Sequence, residues 1–418
     1  MSVQASQENP AEGQAPQLRR AVTLPMLILY GLGVTIGAGI YVLVGATAGK
    51  AGMFAPSAFV LSAVVMAFSA ASFAEFVGRV PRSAGEAAYV RSAYRQKWLA
   101  MITGGLVIFG AVIATAAIAL GCAGYIGSLI SLPESVLVVA VILLMGALAA
   151  WGIEESVTVA AVLTLVEIAG LLVIIGAGFV NEPGMLSKVG MTIPSISDGT
   201  AMLAILSASL IAFFAFIGFD SMVNLAEEVP NPRRTMPLAI IISLVVVTII
   251  YFLLVFVALN SVELEELAGS TAPVGLLFER LTGMSPLAIT LIAIVATANG
   301  IVIEIIMATR VIYGLSAPEH LGLAWFGTVN AKTRTPLNAT MVVTALVILF
   351  ALLAPLDVLA ELTSQIFLTV FILVNCGLIV VKLRGDPAPE GTFIVPTIIP
   401  IIGAASCLLL LVSPLVTS

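Results

Sequence analysis

The sequence predicts an all-α integral membrane protein of about eleven transmembrane helices, arranged as a five-plus-five inverted repeat with broken helices 1 and 6 and one added helix. Three observations predict it. Of the 418 residues, 60% are apolar and only 10% are charged, and the mean hydropathy is strongly positive; such a chain is built to face lipid. Apolar windows of about 20 residues, the length that spans a bilayer core as a helix, recur along the whole chain. Two of these windows, opening the first and the second set of five, carry glycine near their middles.

Taken in order, residues 1–20 are polar and contain Pro10, Gly13 and Pro16, the make-up of a short disordered tail. The apolar run that follows is too long and too poorly terminated for a cleaved signal peptide. Spans 1 to 4 are expected at 23–48, 51–74, 98–133 and 135–153, and span 5 at 156–181 around Glu167. Span 6 is expected at 199–226 around Asp220, span 7 at 235–262 and span 8 at 281–316 around Glu304. Spans 9, 10 and 11 follow at 335–356, 362–381 and 391–418. The first repeat is then 21–181, the second 199–384, and 391–418 is an additional helix. An odd number of helices per repeat forces the two copies into opposite orientations.

The basic residues orient this chain. Lys50, Lys188 and Arg280 fall on one side of the membrane and the other 14 of the 17 basic residues on the opposite side, which places the N-terminus in the cytoplasm of a cell bounded by this inner or plasma membrane. The three cysteines fall in apolar spans without paired spacing and read as small core residues. There is a single histidine, His320, and no metal-ligand cluster, phosphate-cradling glycine loop or serine nucleophile elbow. Enzyme chemistry, a metal, a cofactor and a nucleic-acid partner are therefore not expected.

What stands out is the placement of glycines and acids. The stretch GLGVTIGAGIYVLVG at 31–45 carries five glycines where leucine would serve a plain spanning helix. One reading takes Gly33 and Gly37 as a small-residue pair that lets two helices approach closely. The other takes the glycines as sites where the helix opens, with its partner in LIAFFAFIGFDSMVNLAEE at 210–228; broken helices of this kind leave backbone polar groups free at the membrane midplane. Acids inside spans cost about 2.5–3.5 kcal/mol each on insertion scales, so Glu167, Asp220 and Glu304 are expected to be functional or paired.

Several segments in order carry a family resemblance: GVTIGAGIY in span 1, SFAEFVGRVPRSAGEAAYV after span 2, AFFAFIGFDSMVNLAEEVPNPRRTMP across span 6, STAPVG before span 8 and MATRVIYGLS at its end. From residue 20 to about 416 the chain resembles amino acid permeases of the amino acid, polyamine and organocation transporter superfamily. The resemblance implies a LeuT-type fold that moves an amino acid by alternating access, as a proton symporter or an exchanger. It implies a site at Gly37, Ala38 and Gly39, whose freed amides would hold a carboxylate. Thr35, Phe214, Ala215 and Ile217 would contribute carbonyls for the substrate amino group, and Phe214 also an aromatic lid. Most relatives have twelve spans where eleven are expected here.

Glu304 falls on the face of span 8 that contributes to the side-chain pocket in the family. It would favour a cationic side chain, or stand protonated and neutral. Glu167 occupies the position where some proton-coupled members carry a lysine. It reads either as a proton carrier or as a structural acid bonded to the backbone of span 1. Asp220 follows the break in span 6 as a cap or gate residue, and Arg82 and Glu86 are expected to form a cytoplasmic gate contact with Asp220 or Glu227. A polyamine or other amine is the alternative substrate, and a non-transporting amino acid receptor the alternative function; the oligomeric state is left open.

Overall fold

Hydrocarbon offers the backbone no hydrogen-bond partner, so a stretch that crosses it is driven into helix. The computed structural model follows that constraint; it describes residues 22–80, 85–152, 157–195, 197–223, 225–316, 325–330, 332–333 and 335–417. Among these residues there is no strand. Spans 1 to 5 are Leu24–Ala51, Ala55–Arg79, Lys97–Gly127, Glu134–Trp151 and Val157–Asn181. Spans 7 to 11 are Pro232–Ser261, Leu287–Leu315, Leu337–Leu353, Leu356–Leu383 and Ile398–Val412. Span 6 comes in two pieces, Gly199–Phe214 and Phe219–Val223, joined by turns at 215–218. A short loop helix, Gly85–Tyr94, joins spans 2 and 3, and Leu264–Gly269 and Pro273–Thr282 join spans 7 and 8. The tail at 1–20, Arg82 and His320 lie outside the described residues.

The apolar pattern alone does not tell the middle of such a bundle from its rim, but residue size does. Span 3 is 78% buried over its most apolar stretch, against 39% for span 4, so span 3 is the central post. Its inner face is built from Ala111, Ala114, Ala116, Ala117, Gly121 and Gly124, small residues that let helix backbones approach. A Cβ on Gly124 would lie 2.6 Å from the carbonyl oxygen of Thr271, in the connection between the two loop helices after span 7.

Spans 1 and 6 behave differently where both were expected to break. Gly218 has φ of +133°, a conformation essentially restricted to glycine, and its N–H donates to Oδ1 of Asp220 at 2.8 Å. The interruption of span 6 therefore has both a residue able to turn and a nearby acceptor for a freed amide. Span 1, by contrast, runs as one helix from Leu24 to Ala51, straight through Gly37, Ala38 and Gly39. Glycine weakens a helix by about 1 kcal/mol relative to alanine without compelling a break, and the nearest hydroxyl, Thr35 Oγ1, is turned back onto the carbonyl of Gly31 at 2.8 Å. The Thr35 hydroxyl is thus engaged within span 1, and the helix continues through 37–39.

One feature of the side rich in lysine and arginine escaped the sequence reading. Glu75, fully buried at the end of span 2, accepts an ion pair from Arg79 at 2.9 Å and another from Lys382 of span 10 at 2.7 Å. The Val395 N–H, in the segment leading to span 11, donates to its Oε2 at 2.9 Å, and Arg79 also donates to the carbonyl of Asp386 at 3.0 Å. One carboxylate thus ties spans 2, 10 and 11 together. Removing it leaves two cations without a counter-charge, so Glu75→Gln is expected to destabilise the protein by about 3 kcal/mol or more, measured as a lower midpoint of thermal unfolding in detergent.

Candidate functional site

The site is organised by the crossing of spans 1 and 6. A Cβ on Gly39 would lie 2.6 Å from Cβ of Ala215 and 3.1 Å from its carbonyl oxygen, and a Cβ on Gly218 would lie 3.1 Å from the backbone nitrogen of Thr35. The two helices touch backbone to backbone at the level of the interruption. The other span 1 glycines pack against different neighbours: Gly33 lies against Thr164 of span 5, Gly31 against Met222 of the second piece of span 6, and Gly37 near the Ala296 carbonyl of span 8. Gly33 and Gly37 therefore do serve close helix packing, while Gly39 faces the interruption.

At this crossing main-chain carbonyls converge. The Tyr251 hydroxyl of span 7 lies 2.8 Å from the Thr35 carbonyl oxygen and 3.0 Å from that of Ala215. A hydroxyl has one proton to donate, so it serves one of these acceptors at a time. The amides of Ala215, Phe216 and Ile217 bond to the carbonyls of Ala212, Phe213 and Phe214 at 3.0–3.1 Å, which tightens the end of the first piece of span 6 and uses the Phe214 carbonyl, one of the expected ligands. Tyr251 went unnoticed in the sequence; its only signal is a lone hydroxyl in the apolar run IIYFLLVF.

A cavity of ≈20 Å³ opens beside the crossing. Thr35, Gly39, Phe214, Ile217 and Glu304 line it, with Val34, Ala114, Ile118, Gly300 and Ile303 completing an otherwise apolar wall. That space holds about one water molecule, so this is a closed state. Of the expected substrate residues, Gly37 and Ala215 are not on its wall.

The acids fall into two groups. Glu167 is buried beside span 1; one of its carboxylate oxygens lies 3.9 Å from where a Cβ of Gly37 would stand, and its carbonyl accepts from the Tyr41 hydroxyl at 3.3 Å. It sits where spans 1, 5 and 8 meet. Glu304 forms the second group with Asp220 and Glu86, which both act on it electrostatically. Arg82 and Glu86 were expected to form a gate contact with Asp220 or Glu227; Arg82 lies outside the described residues, and Glu86 falls within the electrostatic reach of Asp220, carboxyl beside carboxyl.

On the basic side of the interruption the rings of Phe73, Phe219 and Phe371 form a triangle with centroids 5.2–5.6 Å apart. Tyr89 extends it at 5.8 Å from Phe73. Phe219 directly follows Gly218, so the turn that breaks span 6 also sets one ring of this triangle. A wider cavity of ≈550 Å³ lies toward the opposite side, walled by residues 268–271, by Glu134 and Ser135, and by residues 351–356.

With this geometry in hand, comparison with known proteins is specific. A family model described as amino acid permease matches residues 23–418. The chain belongs to the amino acid permease family. It is similar to the branched-chain amino acid permease BcaP of Bacillus subtilis (strain 168), 29% identical over 89% of this chain and 83% of that one. It is also similar to the vacuolar cationic amino acid transporter 4 of Arabidopsis thaliana, 30% identical over 90% of this chain, and to the methylthioribose transporter of Bacillus subtilis (strain 168), 28% identical over 95% of this chain and 89% of that one. The chain spans 65% of the length of the plant transporter, a little under two thirds. The family is one of multi-pass membrane transporters, so the permease's work is passage through a membrane and not covalent chemistry.

Outside the spans, Glu86 of the loop helix is the most perturbed acid of the permease. Burial, followed by the charge of Asp220, pushes it up to about 8, against the lowering effect of a backbone hydrogen bond. A carboxyl raised in the folded state holds its proton more tightly than in the unfolded chain, so its contribution to stability falls as pH rises from about 4.5 to about 8. Replacing Glu86 with Gln is expected to flatten that part of the melting-temperature profile and to raise the melting temperature at pH 8–9 relative to wild type; an unchanged profile would show that Glu86 is ionised throughout.

Proposed function

We propose that the permease carries an amino acid across the cytoplasmic membrane by alternating access, with the substrate held at the crossing of spans 1 and 6. The observation that carries this reading is the convergence of the Thr35 and Ala215 carbonyl oxygens on one point, marked by the Tyr251 hydroxyl at 2.8 and 3.0 Å. An ammonium has three donors and no acceptor, and two carbonyls in a dry, apolar cavity suit it well.

The α-carboxylate then falls to the backbone of span 1 at 37–39. Those amides are inside the helix in the closed state, so binding opens the helix there, at a place where glycine keeps the cost low. The cavity must also grow, by Phe214 and the second piece of span 6 moving about Gly218. The inverted repeats 21–181 and 199–384 supply the motion: their relative rocking exposes the site first toward the wide cavity and then, as the Phe73, Phe219 and Phe371 seal parts, toward the arginine-rich cytoplasmic side, where the N-terminus also lies. Relatives named as permeases and transporters of amino acids support this reading.

Glu167 is proposed to carry the proton that couples transport, since its carboxylate lies beside Gly37, the opening point of span 1. Reconstituted into proteoliposomes, the permease is expected to accumulate labelled amino acid when the outside is acidified. Gly39→Val, which forces a side chain into Ala215, should abolish uptake, and Glu167→Gln should lose the dependence on the proton gradient while keeping amino acid exchange. Uptake by Glu167→Gln that still follows the gradient would remove the proton role from this residue.

A further inference from the structure

The cavity wall contains one acid, and its surroundings indicate what part of a substrate it meets. Glu304 stands on the face of span 8 that also presents Gly300 and Ile303 to the cavity; these positions, one turn apart, share a side of the helix. It is only 8% exposed, and its Oε2 has no hydrogen-bond partner. A carboxylate oxygen in that position forgoes hydrogen bonds worth about 1–3 kcal/mol each, so a group that completes it has something to gain. The other wall residues near it, Ile118, Ile217 and Ile303, offer none.

The charge around Glu304 narrows the choice of that group. Among the described residues, the charges that act on it are those of two further buried carboxylates, Asp220 on the second piece of span 6 and Glu86 on the loop helix. The other titratable side chains on the helices packed against span 8 are Lys97, Cys122 and Tyr125 of span 3, Glu134 of span 4, Glu167 of span 5, Tyr30, Tyr41 and Lys50 of span 1, and Glu279 and Arg280 of the loop helix before span 8. None of these is a basic group lining the cavity. Glu304 thus faces carboxyl groups, and among the described residues no basic side chain lines its cavity; such surroundings favour a positive ligand over a negative one. Gly300 lines the same cavity, one turn along the same face.

We propose that Glu304 selects amino acids whose side chain ends in a positive charge, such as lysine, ornithine or arginine, by pairing directly with that charge in the cavity. This rests on the transport reading above, and adds to it the chemical class of the substrate. The α-amino group goes to the carbonyls at the crossing, and the side chain turns toward span 8. Asp220 and Glu86 lie toward the cytoplasmic side, so the same negative region continues along the way out. Glu304 is then the specificity-determining residue, while the carbonyls serve every amino acid alike.

The experiment is binding and uptake with purified, reconstituted permease, comparing lysine, leucine, glutamate and cadaverine on wild type, Glu304→Gln and Glu304→Asp. Lysine should be preferred over leucine by wild type, glutamate should be ignored, and cadaverine, which lacks the carboxylate, should bind more weakly than lysine. Glu304→Gln should weaken lysine about tenfold or more and leave leucine unchanged or improved, and Glu304→Asp should keep the preference for lysine, which also shows that the position tolerates substitution. Preference for leucine in wild type, or lysine affinity unchanged in Glu304→Gln, would overturn the selection by charge and leave amino acid transport standing. Accumulation of none of the amino acids by monodisperse wild-type protein would instead overturn the transport reading itself.

Discussion

The close crossing of span 1 over the interruption of span 6 is the constraint on which the rest of the structure depends. Gly39 can lie on Ala215, and Gly218 on the backbone of Thr35, only because none of these glycines carries a side chain. That approach brings the Thr35 and Ala215 carbonyls within reach of a single hydroxyl on span 7, and it sets Phe219 into its triangle with Phe73 and Phe371. A lipid-embedded protein has few ways to expose backbone polar groups to a ligand, because each must otherwise be satisfied within the chain. A short turn, glycine-hinged and with its freed amide taken by Asp220, is one of them.

The polar groups of the permease divide by purpose. Glu75 is fully paired, with two cations and an amide around one carboxylate, and holds spans 2, 10 and 11 in place. Glu304, Asp220 and Glu86 carry no such basic complement among the charges that act on Glu304. Buried charge that is paired specifies a structure, whereas buried charge that waits for a partner specifies a ligand or a proton. The contrast separates scaffold from site in a chain that also exposes many large apolar side chains.

Much of this was legible in the sequence, for a physical reason: membrane-spanning helices must be long and apolar, so eleven of them read clearly from composition, and an acid such as Glu304 stands out against that background. The interruption of span 6 was legible because Gly218 and Asp220 lie two residues apart with the chemistry a turn requires. The unbroken span 1 was not, since glycines at 37 and 39 permit opening without dictating it, and whether they open depends on neighbours. Tyr251 and Glu75 were hidden for a different reason. Their partners are the carbonyls of Thr35 and Ala215 and the side chain of Lys382, which are distant in sequence, and no local pattern announces a long-range contact. Gly33 and Gly37 carried two readings in the sequence, and in the closed state both lie against neighbouring helices.

The most direct measurement of the central claim is a structure of the permease in lipid nanodiscs with a transported amino acid bound. The account predicts the amino group within about 3 Å of the Thr35 and Ala215 carbonyl oxygens, the carboxylate against an opened backbone at 37–39, and the Tyr251 hydroxyl no longer shared between the two carbonyls. An amino acid held elsewhere, or held at the cavity with span 1 still helical through Gly39, would contradict it.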